Sequence, residues 1–93
     1  MSWTLFTNHA HVLVCIAQDP DLRLREVADR VGITERAAQR IVAELEEAGF
    51  LTHEKVGRRN HYEVMLETPL RHPIEAHVSI GEVLETLRAP ATS

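Results

Sequence analysis

Three glycines divide the stretch from Leu22 to Val64, LRLREVADRVGITERAAQRIVAELEEAGFLTHEKVGRRNHYEV, into short pieces with few ways to fold. Ahead of Gly32, the residues Val27, Ala28 and Val31 recur at helical spacing, which predicts a helix over about Arg25–Val31. Gly32 falls where the backbone must turn sharply with positive φ, a conformation that glycine adopts freely. Ile33 is expected to plug the gap between two helices. Thr34 suits the N-cap of a second helix over about Glu35–Ala48, with Ala38, Ile41, Val42 and Leu45 as its inner face. Gly49 then takes the position just past the helix end. Beyond it, Leu51–Val56 and Asn60–Val64 read as two strands around a turn at Gly57. Tyr62 and Val64 fall on one strand face, and His61 and Glu63 on the other.

The flanks are simpler. Thr7 is a plausible N-cap for a helix over about Asn8–Gln18, with Val12, Leu13, Ile16 and Ala17 facing inward. Asp19-Pro20-Asp21 ends it, because proline restricts the residue before it and donates no hydrogen bond. Leu22-Arg23-Leu24 alternates and suggests a short strand. Pro69 and Pro73 bracket a stretch with no regular pattern. Ser79-Ile80-Gly81-Glu82 matches a capping box, and Ile80, Val83, Leu84 and Leu87 then form an apolar stripe on a short helix over about 79–88. Pro90–Ser93 reads as a frayed tail. The whole is one domain over 1–93. Residues 1–6 are an arm, 7–64 the core and 65–93 an extension. The fold class is mainly α with a small β-hairpin, built as a three-helix core plus a short C-terminal helix.

Charge is unevenly placed. The net charge is −4, which by itself does not favour a polyanionic partner. Yet residues 23–64 carry eight acids and eight bases, while the flanks carry the whole acidic excess. Arg36, Arg40, Lys55, Arg58 and Arg59 gather on the start of the second glycine-bounded helix and on the hairpin, whereas Glu44, Glu46 and Glu47 sit at that helix's end. Binding depends on the field at the contact surface, not on the total.

That distribution suits a duplex. With Ala38, Val42 and Leu45 inward, the residues Glu35, Arg36, Gln39, Arg40 and Ala43 face out. Arginine donates two parallel hydrogen bonds to guanine, glutamine pairs with adenine, and glutamate accepts from cytosine. Glu35, Arg36, Gln39 and Arg40 are therefore candidates for base contact. The amides near Thr34 suit a phosphate. Lys55, Arg58, Arg59 and Asn60 on the hairpin, with Arg23 and Arg25 ahead of it, are candidates for the DNA backbone or a narrow minor groove.

The pieces LREVADRVGIT, ERAAQRIVAELEEAGFL and HEKVGRRNHYEV together resemble the MarR/ArsR-like winged helix-turn-helix transcriptional regulators of the small stand-alone bacterial type. The resemblance covers about residues 7–64. It implies sequence-specific binding of double-stranded DNA by a homodimer on a pseudo-palindromic operator. The helix over about 35–48 would lie in the major groove, and the wing over about 51–64 would touch the backbone or minor groove. At 93 residues the chain is shorter than most MarR-type members, so their long dimerisation helices and adjoining ligand cleft are not expected.

Trp3, Leu5 and Phe6, with Ile80, Val83, Leu84 and Leu87, are more apolar than lone flanking pieces need be. They either cover the chain's own core or form a two-fold interface, and a homodimer is the expectation. Six histidines and one cysteine are present. Only His11 and Cys15 share a helix face, and the paired-ligand pattern of metal sensors is absent after Ser79, so neither a metal nor another cofactor is expected. His53 and His61 would pair across the hairpin and make binding pH-sensitive. No phosphate loop, carboxylate pair or nucleophile-base signature is present, so an enzyme is not expected. The lone cysteine excludes an internal disulfide, and the N-terminus lacks a signal-peptide pattern. A cytoplasmic setting, with no membrane partner, follows. The alternative reading is a winged helix that serves only as a protein-protein interaction module without DNA binding.

Overall fold

The computed structural model describes residues 3–88, which run in the order α1 (Asn8–Gln18), α2 (Leu24–Val31), α3 (Glu35–Glu47), β1 (Leu51–Val56), β2 (Arg59–Val64) and α4 (Ile80–Thr86). Met1 and Ser2 of the expected arm and the expected tail Pro90–Ser93 lie outside the described residues.

The helices form where apolar spacing and punctuation place them. In α1, Val12, Leu13 and Ile16 are buried, but Ala17 is exposed at the lip of a groove beside the hairpin. Thr7 precedes α1 with extended backbone but makes no side-chain cap. Gly32 ends α2 with φ of 87°, and its N–H donates to the Ala28 carbonyl at 2.8 Å. Thr34 does cap α3, its hydroxyl oxygen accepting from the Ala37 N–H at 3.0 Å. Such a cap is worth about 1 kcal/mol. The α3 stripe of Ala38, Ile41, Val42 and Leu45 is buried throughout.

The expected strand at Leu22-Arg23-Leu24 does not form. Leu24 is already helical, and the Glu26 carboxylate accepts from the Arg23 N–H at 3.0 Å. Half of a capping box is thereby made; the guanidinium of Arg23 has no acceptor to complete it. Both leucines point inward for different reasons. Leu22 is a buried plug in the loop and Leu24 is a half-buried first-turn residue. The loop still serves the hairpin, because the Tyr62 N–H donates to the Pro20 carbonyl at 3.0 Å.

β1 and β2 pair antiparallel with Leu51 opposite Val64 and Val56 opposite Arg59. Only Gly57 and Arg58 remain for the turn. Gly57 has φ of 65° and Arg58 does not have positive φ, as in a type II′ turn, whose twist matches that of the strands. Tyr62 and Leu51 join Val12, Ile16, Val27, Ile41 and Leu45 in one apolar cluster.

The chain then crosses the end of this core. Ile80 donates its N–H to the Thr68 carbonyl and Gly81 to the Leu66 carbonyl, each at 2.8 Å. The Ser79–Glu82 capping box forms in both directions. Ile80 is buried in the core. A Cβ on Gly81 would lie 3.0 Å from the Leu66 carbonyl oxygen and 3.2 Å from the Leu66 Cβ. Gly81→Ala should therefore cost about 1–3 kcal/mol through overpacking, read as a lowered midpoint in chemical denaturation. An unchanged midpoint would mean that Leu66 yields freely.

Candidate nucleic-acid interface

The outer face of α3 is polar and open. Glu35, Arg36, Gln39, Arg40 and Ala43 are all exposed, while every residue of the opposite stripe is buried. Arg36 and Gln39 lie in the first turns, the part of a groove-bound helix that meets base edges. Glu35 stands at the positive end of the helix, where its charge is favoured.

Arg40 is arranged differently. Its guanidinium lies 3.3 Å from Glu44 Oε1 and 3.5 Å from Oε2, one turn further along. Glu44 Oε1 is also 2.7 Å from His9 Nε2 of α1. The His9 hydrogen bond, joined by the charge of Arg40, holds the Glu44 carboxyl below the usual carboxylate range. All three side chains are partly exposed, Arg40 the most.

On the hairpin, Lys55 and Arg58 are exposed, with Arg58 in the turn itself. Arg59 is folded back, its Nη2 donating to the Asp21 carbonyl at 3.0 Å. Asn60 is half-buried, its amide nitrogen 3.4 Å from the Tyr62 hydroxyl. Arg23, Arg58, Arg59 and Asn60 border a notch of about 250 Å³ between the hairpin and the start of α2. Arg23 and Arg25 are exposed beside it. The hairpin's positive charge thus gathers at the turn, at Lys55 two residues before it, and along this edge. The outer hairpin face is acidic, with Glu54 opposite His61 and Glu63 opposite Thr52.

His53 and His61 do not pair across the strands. The register sets His53 against Tyr62 and His61 against Glu54. Strand alternation therefore puts the two rings on opposite faces. His53 hydrogen-bonds Glu46 of α3 and stacks obliquely on Tyr62, with ring centroids 5.7 Å apart. His61 Nδ1 is 2.7 Å from Asp21 Oδ1. His11 turns to Asn8, 3.2 Å away, and among the described residues no group of three potential metal ligands comes together.

Sequence reasoning missed Asp21, His9 and Glu44 as partners of the candidate residues. Arg40 and Glu44 stand four apart on a helix, so their pairing was there to be read. Nothing in the sequence signals the contacts of His9 and Asp21, which span 35 and 40 residues.

Of the apolar ends, Trp3 and Leu5 are exposed at 80% and 82% of their surfaces, and Phe6 at 37%. Val83, Leu84 and Leu87 are half-buried and share with Leu5 and Phe6 a largely apolar groove of about 430 Å³.

A short helix, a left-handed glycine turn, a longer helix with an open polar face and an adjacent hairpin with a cationic turn define a winged helix-turn-helix DNA-binding domain. Residues 7–52 match the family described as winged helix-turn-helix DNA-binding. The structure is similar to that of the PcaV transcriptional regulator from Streptomyces coelicolor in complex with its natural ligand, with a TM-score of 0.56 and 25% identity. That likeness covers 69% of this chain and 48% of the regulator, so the chain spans about half of that protein's length. No curated protein sequence matches the chain. Among the described residues, no helix is long and apolar enough to cross a membrane.

The hairpin's attachment carries a pH dependence. Hydrogen bonding to Asp21, reinforced by the charges of Asp21, Glu54 and Glu63, raises the His61 pKa above its ordinary value. A raised folded-state value means that this attachment is fully present below about pH 6.5 and is lost as pH rises through the folded value. Hydrogen exchange at the Tyr62 amide, corrected for intrinsic rate, should show protection falling with rising pH. His61→Gln should flatten that dependence, and an unaltered profile would remove His61 from the attachment.

Proposed function

We propose that the chain is a transcriptional regulator that reads double-stranded DNA by sequence. α3 lies in the major groove, with Glu35, Arg36, Gln39 and Arg40 at base edges. The hairpin and the start of α2 lie on the sugar-phosphate backbone or in the minor groove, through Lys55, Arg58, Arg59, Asn60, Arg23 and Arg25. Thr34 caps α3 and offers the neighbouring amides to a phosphate. The observation that carries the reading is the exposed polar face of α3 beside a cationic hairpin turn, in a domain of DNA-binding family. The similarity to PcaV supports the regulatory role. Residues 7–64 act as the reader, with 65–93 bracing it, and the protein works in the bacterial cytoplasm, where the DNA is.

Two copies act together. The exposed Trp3, Leu5 and Phe6, continuous with the half-buried Val83, Leu84 and Leu87, form the two-fold interface. That arrangement sets two α3 helices one DNA turn apart, and doubling the contacts compensates for the weak affinity expected of one copy. Ile80 belongs to the chain's own core and contributes only by holding α4 in place.

Selection of bound sequences from a random duplex library, followed by gel shifts over a salt series, tests the assignment. Arg40→Ala should relax the preference at one position. Replacing Arg58 and Arg59 together by alanine should weaken all duplexes alike and lower the salt slope by about 2. No shift at any salt would leave a protein-interaction module instead. Leu5→Glu, at a site open to solvent, should turn dimers into monomers by light scattering. A dimer that persists would take the N-terminal arm out of the interface.

A further inference from the structure

Three side chains from two helices meet at Glu44, and the proposed function uses only one of them. Arg40 is a candidate base reader, yet its guanidinium is directed along α3 onto the Glu44 carboxylate. A carboxylate on a DNA-facing helix is repelled by phosphates unless it is neutralised. Its second partner is His9, which reaches across from α1. The two partners bind the same oxygen, Oε1, at 3.3 and 2.7 Å.

We propose that Glu44 is the positioning residue of Arg40 and that His9 sets how firmly it holds, so that protonating His9 strengthens DNA binding and releases Arg40 to read a base. The inference rests on the DNA-reading function proposed above. With neutral imidazole, Glu44 and Arg40 cancel, and Arg40 is held as half of an ion pair. With imidazolium, the three groups carry a net positive charge, and Glu44 is shared between two cations. The other charged groups near this junction are Glu47 of α3 and Arg71, which border the same notch as His9 and Glu44, and Glu75, which lines the groove on the far side of His9. Glu47, Arg71 and Glu75 are not within ion-pair distance of any of the three.

The device differs from the His61 attachment in what it moves. His61 and Asp21 tether the hairpin, whereas His9 acts through Glu44 on α3. Substitution at position 9 therefore separates the two.

The test is fluorescence anisotropy of the full chain over a salt series at about pH 6 and about pH 8. The probes are a mixed-sequence duplex and the best duplex selected from the random library. For the wild type, one added positive charge at the interface should steepen the salt slope by about 0.9 at the lower pH. His9→Gln, which keeps a neutral hydrogen-bonding side chain, should abolish that component. Glu44→Gln should bind both duplexes more tightly at either pH and lose the pH-dependent component, because Arg40 is no longer held. The Arg40 Nε–H resonance of the free protein should shift with pH in the wild type but not in His9→Gln.

A pH-dependent slope that survives His9→Gln unchanged would overturn the proposal. So would a pH-dependent slope that survives Glu44→Gln, or an Arg40 resonance indifferent to position 9. If the wild type binds neither duplex at any salt, the DNA-reading function itself fails and the proposal falls with it. DNA binding that is normal yet blind to His9 and Glu44 overturns the proposal alone.

Discussion

The burial of one stripe on α3 is the constraint on which the rest depends. Ala38, Ile41, Val42 and Leu45 are enclosed by α1, α2 and the hairpin. A helix of 13 residues is marginal by itself, and its stability comes from packing one face. Because that face is clamped, the opposite one is held toward solvent at a fixed angle. Five polar or small residues are thereby displayed on a rigid rod. Without the clamp, Arg36 and Gln39 would be ordinary surface side chains with no shared orientation.

The hairpin is positioned by a different kind of force. Its apolar face, Leu51 and Tyr62, joins the same core, but its other face is held by polar bonds to one short loop. Pro20 accepts from the Tyr62 amide, the Asp21 carbonyl accepts from Arg59, and the Asp21 carboxylate meets His61. The two side-chain bonds are exposed and individually weak, and the His61–Asp21 pair responds to pH and salt. The core thus places α3, while surface electrostatics adjust the hairpin beside it. This division suits the proposed function: a helix in the major groove needs precision, and a hairpin on the backbone gains from give.

Histidine–carboxylate pairs recur at the joints between elements. His9 and Glu44 join α1 to α3, His53 and Glu46 join α3 to β1, and His61 and Asp21 join β2 to the loop before α2. None is buried, so none anchors the fold, and each can tune the angle between two elements. Two acidic residues near the end of α3 are engaged by these rings, Glu44 by His9 and Glu46 by His53.

The sequence by itself determined the elements and the face each one shows. The helical spacing around Gly32, the Thr34 cap and the Ser79–Glu82 box act over a few residues, so they can be read before folding. The inward residues of α3 were legible for the same reason, and so was the outward set from Glu35 to Arg40. What only the tertiary structure decided was the company each exposed charge keeps. The strand read at Leu22–Leu24 was overridden because Glu26 caps the Arg23 amide and Leu24 enters α2. His53 and His61 were separated because the Gly57–Arg58 turn sets the register of the two strands. Arg59 was drawn to Asp21 and His9 to Glu44 because packing of the core brings together parts of the chain 35 or more residues apart. Long-range ion pairs leave no periodic trace in a sequence. They follow from where burial of apolar surface happens to bring polar residues near.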